Sequence, residues 1–152
     1  MHGPEHHFLV PAVLLAAYYN EIGDKDQKSV KISGARQRAN KTLGGFCGSH
    51  GACSAAIGAG IFTSLVTNAT TLSGIEWKLS NLATSKCLAK IASYGGPRCC
   101  KRSTFLTILN AADFSTKYLD VEMHPDREIV CQFADMNNEC IGKNCPFNRS
   151  PD

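Results

Sequence analysis

The segment from Gly44 to Phe62 constrains this chain more than any other. It begins as Gly44-Gly-Phe-Cys-Gly-Ser-His-Gly-Ala-Cys53 and runs straight into Ser54-Ala-Ala-Ile-Gly-Ala-Gly-Ile-Phe62. Four glycines within positions 44–51 permit positive φ angles and let backbone N–H groups approach a bound group closely. The second half reads as a helix over 52–68. On it Ala52, Ala56, Ala59 and Thr63 form a stripe of small residues, and Ile57, Ile61 and Leu65 a bulky one. Small side chains let helix backbones approach one another, so this helix belongs at the centre of a bundle. Its N-terminal partial positive charge falls near Cys53 and Cys47, where it favours thiolate over thiol.

Periodicity places four more helices around it, over about 10–20, 25–41, 76–93 and 97–118. Pro11 suits the first turn of the first, and Asp24 caps the second. Ser73 and Glu76 read as a capping box, and Gly95-Gly96 as a stop signal. Residues 128–133 alternate weakly, as a short extended piece would. The tail over 131–146 has almost no periodicity but three cysteines, so a bound ion or cluster is expected to order it. The expected fold is all-α: a compact bundle of about five helices around the small-residue helix, with an irregular cysteine-rich C-terminal tail. All of it forms one domain over 1–152.

A net charge of +3, with scattered Lys and Arg and no aromatic-lined basic stripe, argues against a nucleic-acid partner. The apolar run over 8–19 has no Lys or Arg before it within 2–7, which argues against a signal peptide. At about 12 residues it is also too short to span a bilayer. The expectation is a cytoplasmic protein with no membrane partner.

The eight cysteines decide the chemistry. They come in tight groups with glycine and proline, as metal ligands do, rather than as an evenly spread disulfide framework. Cys140 and Cys145 form a C-x4-C turn with Gly142 inside it and Pro146 after it. Cys99 and Cys100 open a helix beside Arg98, Lys101 and Arg102; being adjacent, they face different partners. Cys87 lies on the apolar face of a helix and reads as a small buried hydrophobe. His6 and His7 read as polar residues at a helix start, or as ligands that Glu5 would orient.

The candidate ligands are therefore Cys47, His50, Cys53, Cys99, Cys100, Cys131, Cys140 and Cys145, with the backbone of Gly45, Gly48 and Gly51 cradling the bound group. The leading reading is an iron–sulfur redox protein engaged in electron transfer or sulfur chemistry. Two alternatives stand beside it. One is a zinc-stabilised interaction module without catalysis. The other is a metal-free thiol or sulfur-relay enzyme using Cys99-Cys100 or Cys47 and Cys53.

Four motifs together carry a resemblance. They are His2-Gly-Pro-Glu-His-His7, Gly44-Gly-Phe-Cys-Gly-Ser-His-Gly-Ala-Cys53, Gly95-Gly-Pro-Arg-Cys-Cys-Lys-Arg102 and Cys140-Ile-Gly-Lys-Asn-Cys-Pro-Phe147. The chain resembles a Cys/His-rich prokaryotic domain of unknown function found in anaerobic bacteria and methanogenic archaea, over nearly its whole length. Members often carry a further cysteine-rich segment upstream, sometimes with a methyltransferase-like domain. The resemblance thus implies an anaerobic setting, a redox or methyl- or sulfur-transfer protein as partner, and a site that an upstream segment would complete. More distantly, the cysteine loop is similar to the redox-active family named for its C_GCAxxG_C_C pattern, from which the inserted His50 departs.

Overall fold

The computed structural model of the chain describes Gly3 and residues 5–148. Six α-helices follow in order: α1 (Glu5–Glu21), α2 (Lys25–Ala39), the single turn α3 (Phe46–Ser49), α4 (Ser54–Val66), α5 (Ile75–Ala92) and α6 (Cys100–Leu119). There is no strand among the described residues.

Helix α4 is the hub, packed against α1, α2, α5 and α6. Its Ala56, Ala59, Phe62 and Thr63 are completely buried. The small residues work by close approach. A Cβ on Gly58 would stand 2.8 Å from Pro11 Cδ and 3.0 Å from Val10 Cβ, so α1 rests on backbone there. On the other face Gly60 fits against Thr84 and Ser80 of α5. The remaining core comes from Val10, Leu14 and Leu15 of α1, Ala35 of α2, Cys87 of α5, and Ala111 and Ala112 of α6. The apolar run over 8–19 is thus part of α1, with Val10, Leu14, Leu15 and Tyr19 turned into the core and Leu9 and Val13 exposed. No helix of the described residues is long and apolar enough to cross a membrane.

Three local expectations change. Helix α1 begins at Glu5 rather than near Val10, so Pro11 lies in its interior. The extra turns carry His6 and His7, whose ring nitrogens bond the carbonyls of Gly3 and Thr42. The proline is tolerated because its buried ring fills the space that Gly58 leaves. The capping box is not formed: Ser73 Oγ accepts instead from Thr70 N at 3.0 Å, and Gly74 caps α5. Residues 128–133 do not form a strand; the Cys131 N–H donates to the Phe147 carbonyl at 2.7 Å within an irregular tail.

That tail folds back along the first half of α6. Cys145 and Phe147 are buried with Leu106, and Phe105, Cys131 and Ile141 close around them. Its one regular element is a 3-10 turn over Gly142–Asn144. Asp24 behaves as expected, its Oδ1 accepting from Gln27 N at 3.0 Å to start α2.

Candidate functional site

All eight cysteines are thiols rather than halves of disulfides. Cys87 stands apart in the core, 1 % exposed, with its Sγ 3.6 Å from Asn110 Oδ1. Burial pushes its thiol up to about 12, so it stays neutral and inert, as a core residue does.

The other seven collect at the start of α6 in two neighbouring groups. The first lines a cleft of about 380 Å³. Cys47 reaches it from α3, Cys53 from the residue that caps α4, and Cys100 from the first residue of α6. Two distant stretches of sequence, the glycine-rich loop and the start of α6, thus share one wall. Gly45 and Gly51, with φ of +83° and +63°, make the turns on either side of α3. Cys53 makes no side-chain capping bond to its own helix, which leaves its sulfur for the cleft while the α4 N-terminus still lends it positive potential.

Burial pushes the Cys100 thiol up; Arg98 pulls it back; Cys53, Cys47 and Cys99 push it up again. A cation shared between these thiols would reverse that upward push.

His6 and His7 line the same cleft. A carbonyl only accepts, so His7 Nδ1, 3.1 Å from Thr42 O, must carry the proton. In the neutral ring that leaves the lone pair on Nε2, the tautomer seen in metal-binding histidines with an oriented Nδ1–H. His6 is held the same way by the Gly3 carbonyl at 3.2 Å, with Glu5 Oε1 3.3 Å from the same nitrogen. Thr104, also on the wall, is 4 % exposed, and its hydroxyl has no hydrogen-bond partner. A buried unpartnered hydroxyl is costly, and here it lines the cleft that a bound group would fill.

The second group lines a much tighter cavity, about 10 Å³, between α6 and the tail: Cys99, Cys131, Cys140 and Cys145. Cys99 caps α6 with its sulfur, which accepts from Arg102 N at 3.4 Å. Asn137 Nδ2 stands 3.6 Å from Cys99 Sγ, and Asn148 Nδ2 3.9 Å from Cys140 Sγ. Cys99, the extended cap of α6, lines the tail cavity, while Cys100, the first helical residue, lines the cleft. An outer, open groove of about 830 Å³ runs past both groups, touching Cys47, Cys53 and Cys99.

Among the described residues no three Cys, His, Asp or Glu side chains have their donor atoms gathered tightly enough to hold one ion. His50 is exposed, with Nδ1 2.7 Å from Ser49 Oγ and its ring 4.4 Å from that of Phe46; it lines neither the cleft nor the tail cavity. Gly48, though on the groove, gives its N–H to the Gly45 carbonyl at 3.0 Å. Gly45 touches both cleft and groove, and Gly51 the groove. Arg102 was read from sequence only as one of three positive charges beside Cys99 and Cys100, and Thr104 was not singled out, since no spacing marks it. His6 and His7 carried a signal, the His-His pair beside Glu5, that the cysteine loop outweighed.

No curated protein and no solved structure matches the chain. A family profile does match, over residues 1–148. The cysteine and histidine groups described above all lie inside that span, and the chain belongs to the family of unknown function DUF5714.

Proposed function

We propose that the chain is an iron–sulfur redox protein whose cluster sits in the cleft on Cys47, Cys53 and Cys100, with His7 as the fourth donor. The observation that carries this reading is the convergence of three thiols from α3, α4 and α6 on one cleft of about 380 Å³. That volume suits a small cluster better than a single ion. Two helix N-termini and Arg98 supply positive potential for an anionic cluster. The Thr104 hydroxyl is a ready donor to a cluster sulfide.

When bound, the cluster would carry one electron at a time. The chain's residues hold it, limit water on the cleft side and leave the outer groove as the way to a redox or methyl- or sulfur-transfer protein. Metal-free relay chemistry through Cys100 fits less well. A relay nucleophile is a thiolate near neutral pH, whereas burial raises Cys100.

The test is anaerobic purification followed by iron and acid-labile sulfide analysis. Brown protein with visible absorbance is expected, with loss of the chromophore in Cys47→Ala, Cys53→Ala or Cys100→Ala. His7→Ala should keep iron but shift the reduction potential or the oxygen sensitivity. A colourless, iron-free wild type with the cysteines reduced sinks the reading.

A further inference from the structure

We infer that Cys99, Cys131, Cys140 and Cys145 form a second, separate metal site: a closed tetrahedral thiolate site for one zinc ion that ties the tail to the start of α6. The size of the cavity selects the occupant. About 10 Å³ is room for one water-sized body, far too little for a cluster. Four sulfurs and no histidine or carboxylate make the donor set, and four thiolates in a closed site are the ligand set of structural zinc.

Two further observations favour anionic ligands in this cavity, and a third concerns how the tail is ordered. Arg102 lines it and is 5 % exposed; its Nη2 donates to the carbonyls of Gly95 and Pro97 at 2.9 and 2.8 Å, and among the described residues it forms no ion pair. Thiolates in the cavity would help to balance its charge. Lys101 lines the same cavity. The N–H groups of Arg102 and of the Asn137 and Asn148 amides are aimed at sulfur, as outer donors around ligand sulfurs are. Finally, residues 120–148 contain one 3-10 turn and a small apolar cluster, little to order a segment of that length.

Binding would release a proton from each of the four thiols to solvent, leaving a site of charge −2 opposite Arg102 and Lys101. The sulfurs line the cavity without standing at ligand distance from one point. A change of χ1 well moves a cysteine sulfur by roughly 3 Å, so side-chain rotation would contribute to closure.

This site does not depend on the cluster in the cleft, and the test separates them. The full chain carrying Cys47→Ala, Cys53→Ala and Cys100→Ala together, kept reduced, is titrated with cobalt(II). One equivalent should bind with intense thiolate charge-transfer bands and tetrahedral visible bands, and one equivalent of zinc should abolish them. The same titration on the wild-type chain after iron removal guards against a cleft variant that fails to fold. Adding Cys131→Ser or Cys145→Ser should weaken binding at least tenfold. The proposal is overturned if cobalt does not bind, if its spectrum lacks thiolate bands, if binding survives loss of the tail cysteines, or if peptide mapping finds Cys131, Cys140 or Cys145 in a disulfide. Loss of the cleft cluster alone would leave the zinc result standing.

Discussion

Cys87 and Cys100 carry the same side chain to opposite ends. Cys87 is sealed between α5 and α6, with the Thr107 carbonyl and Asn110 nearby, and its thiol is held up to about 12 against an ordinary 9.0. The sign of its effect on stability follows. Below pH 9 the thiol is protonated in both folded and unfolded chains, and the folded state keeps its full advantage. Above pH 9 the unfolded chain ionises while the folded one does not, so the unfolded state binds fewer protons and stability falls. The expected loss is about 1.4 kcal/mol per pH unit. Measured against Cys87→Ala by urea unfolding from pH 8 to 10.5, the wild type should lose ground at about that slope from pH 9 upward. A difference that stays flat with pH would show that the thiol is not sealed. His7 and His50 give a second contrast between chemically equal residues. His50 lies between two cysteines in sequence, but the α3 turn faces its ring outward onto Phe46. His7 is distant in sequence, but α1 runs on to Glu5 and brings it into the cleft.

At the level of elements, the bundle rests on how closely α1 can lie on α4. A methyl group at Gly58 would press on Pro11 Cδ and Val10 Cβ, atoms fixed close to a buried backbone and unable to rotate away. Gly58→Ala should therefore destabilise by about 1–3 kcal/mol despite alanine's better helix propensity. Gly48→Ala serves as the control, because nothing lies within 4 Å of a Cβ there. Equal melting temperatures for the two variants would mean that the α1–α4 contact is looser than described. This part of the fold was legible in the sequence, since a run such as Ser54-Ala-Ala-Ile-Gly-Ala-Gly carries its packing in its own residues. The true starts of α1 and α6 were not, because what fixes them comes from elsewhere: the Thr42 carbonyl for His7, and the Gly95 and Pro97 carbonyls for Arg102. The site was half legible for the same reason. Spacing identified the seven thiols, and the adjacency of Cys99 and Cys100 showed that they must part. Which sulfurs each would join depends on the tail folding back along α6, a long-range event with no periodic signal.

Across the whole molecule, the apolar core and the tail draw on different sources of order. The main cluster joins α1, α2, α4, α5 and α6, with Met123 as its last contributor. The tail beyond adds a small cluster around Leu106, Cys145 and Phe147. The Arg127–Asp113 ion pair, at 2.6 Å, joins two side chains about 60 % exposed, and such pairs contribute little. Removing metal with a chelator under reducing conditions should thus leave the far-UV helical signal close to that of the loaded protein, while the tail opens. Trypsin should then cut at Arg127, in irregular backbone, and at Lys143, in the 3-10 turn, both exposed. Zinc at about a thousand times its dissociation constant would lower the open population about a thousandfold, roughly 4 kcal/mol of local stabilisation. Cleavage limited by that population should slow in proportion. If chelation instead melts the helices together with the tail, the metal holds the whole bundle rather than its last segment, and the division of the molecule into a self-sufficient core and a metal-tied tail fails.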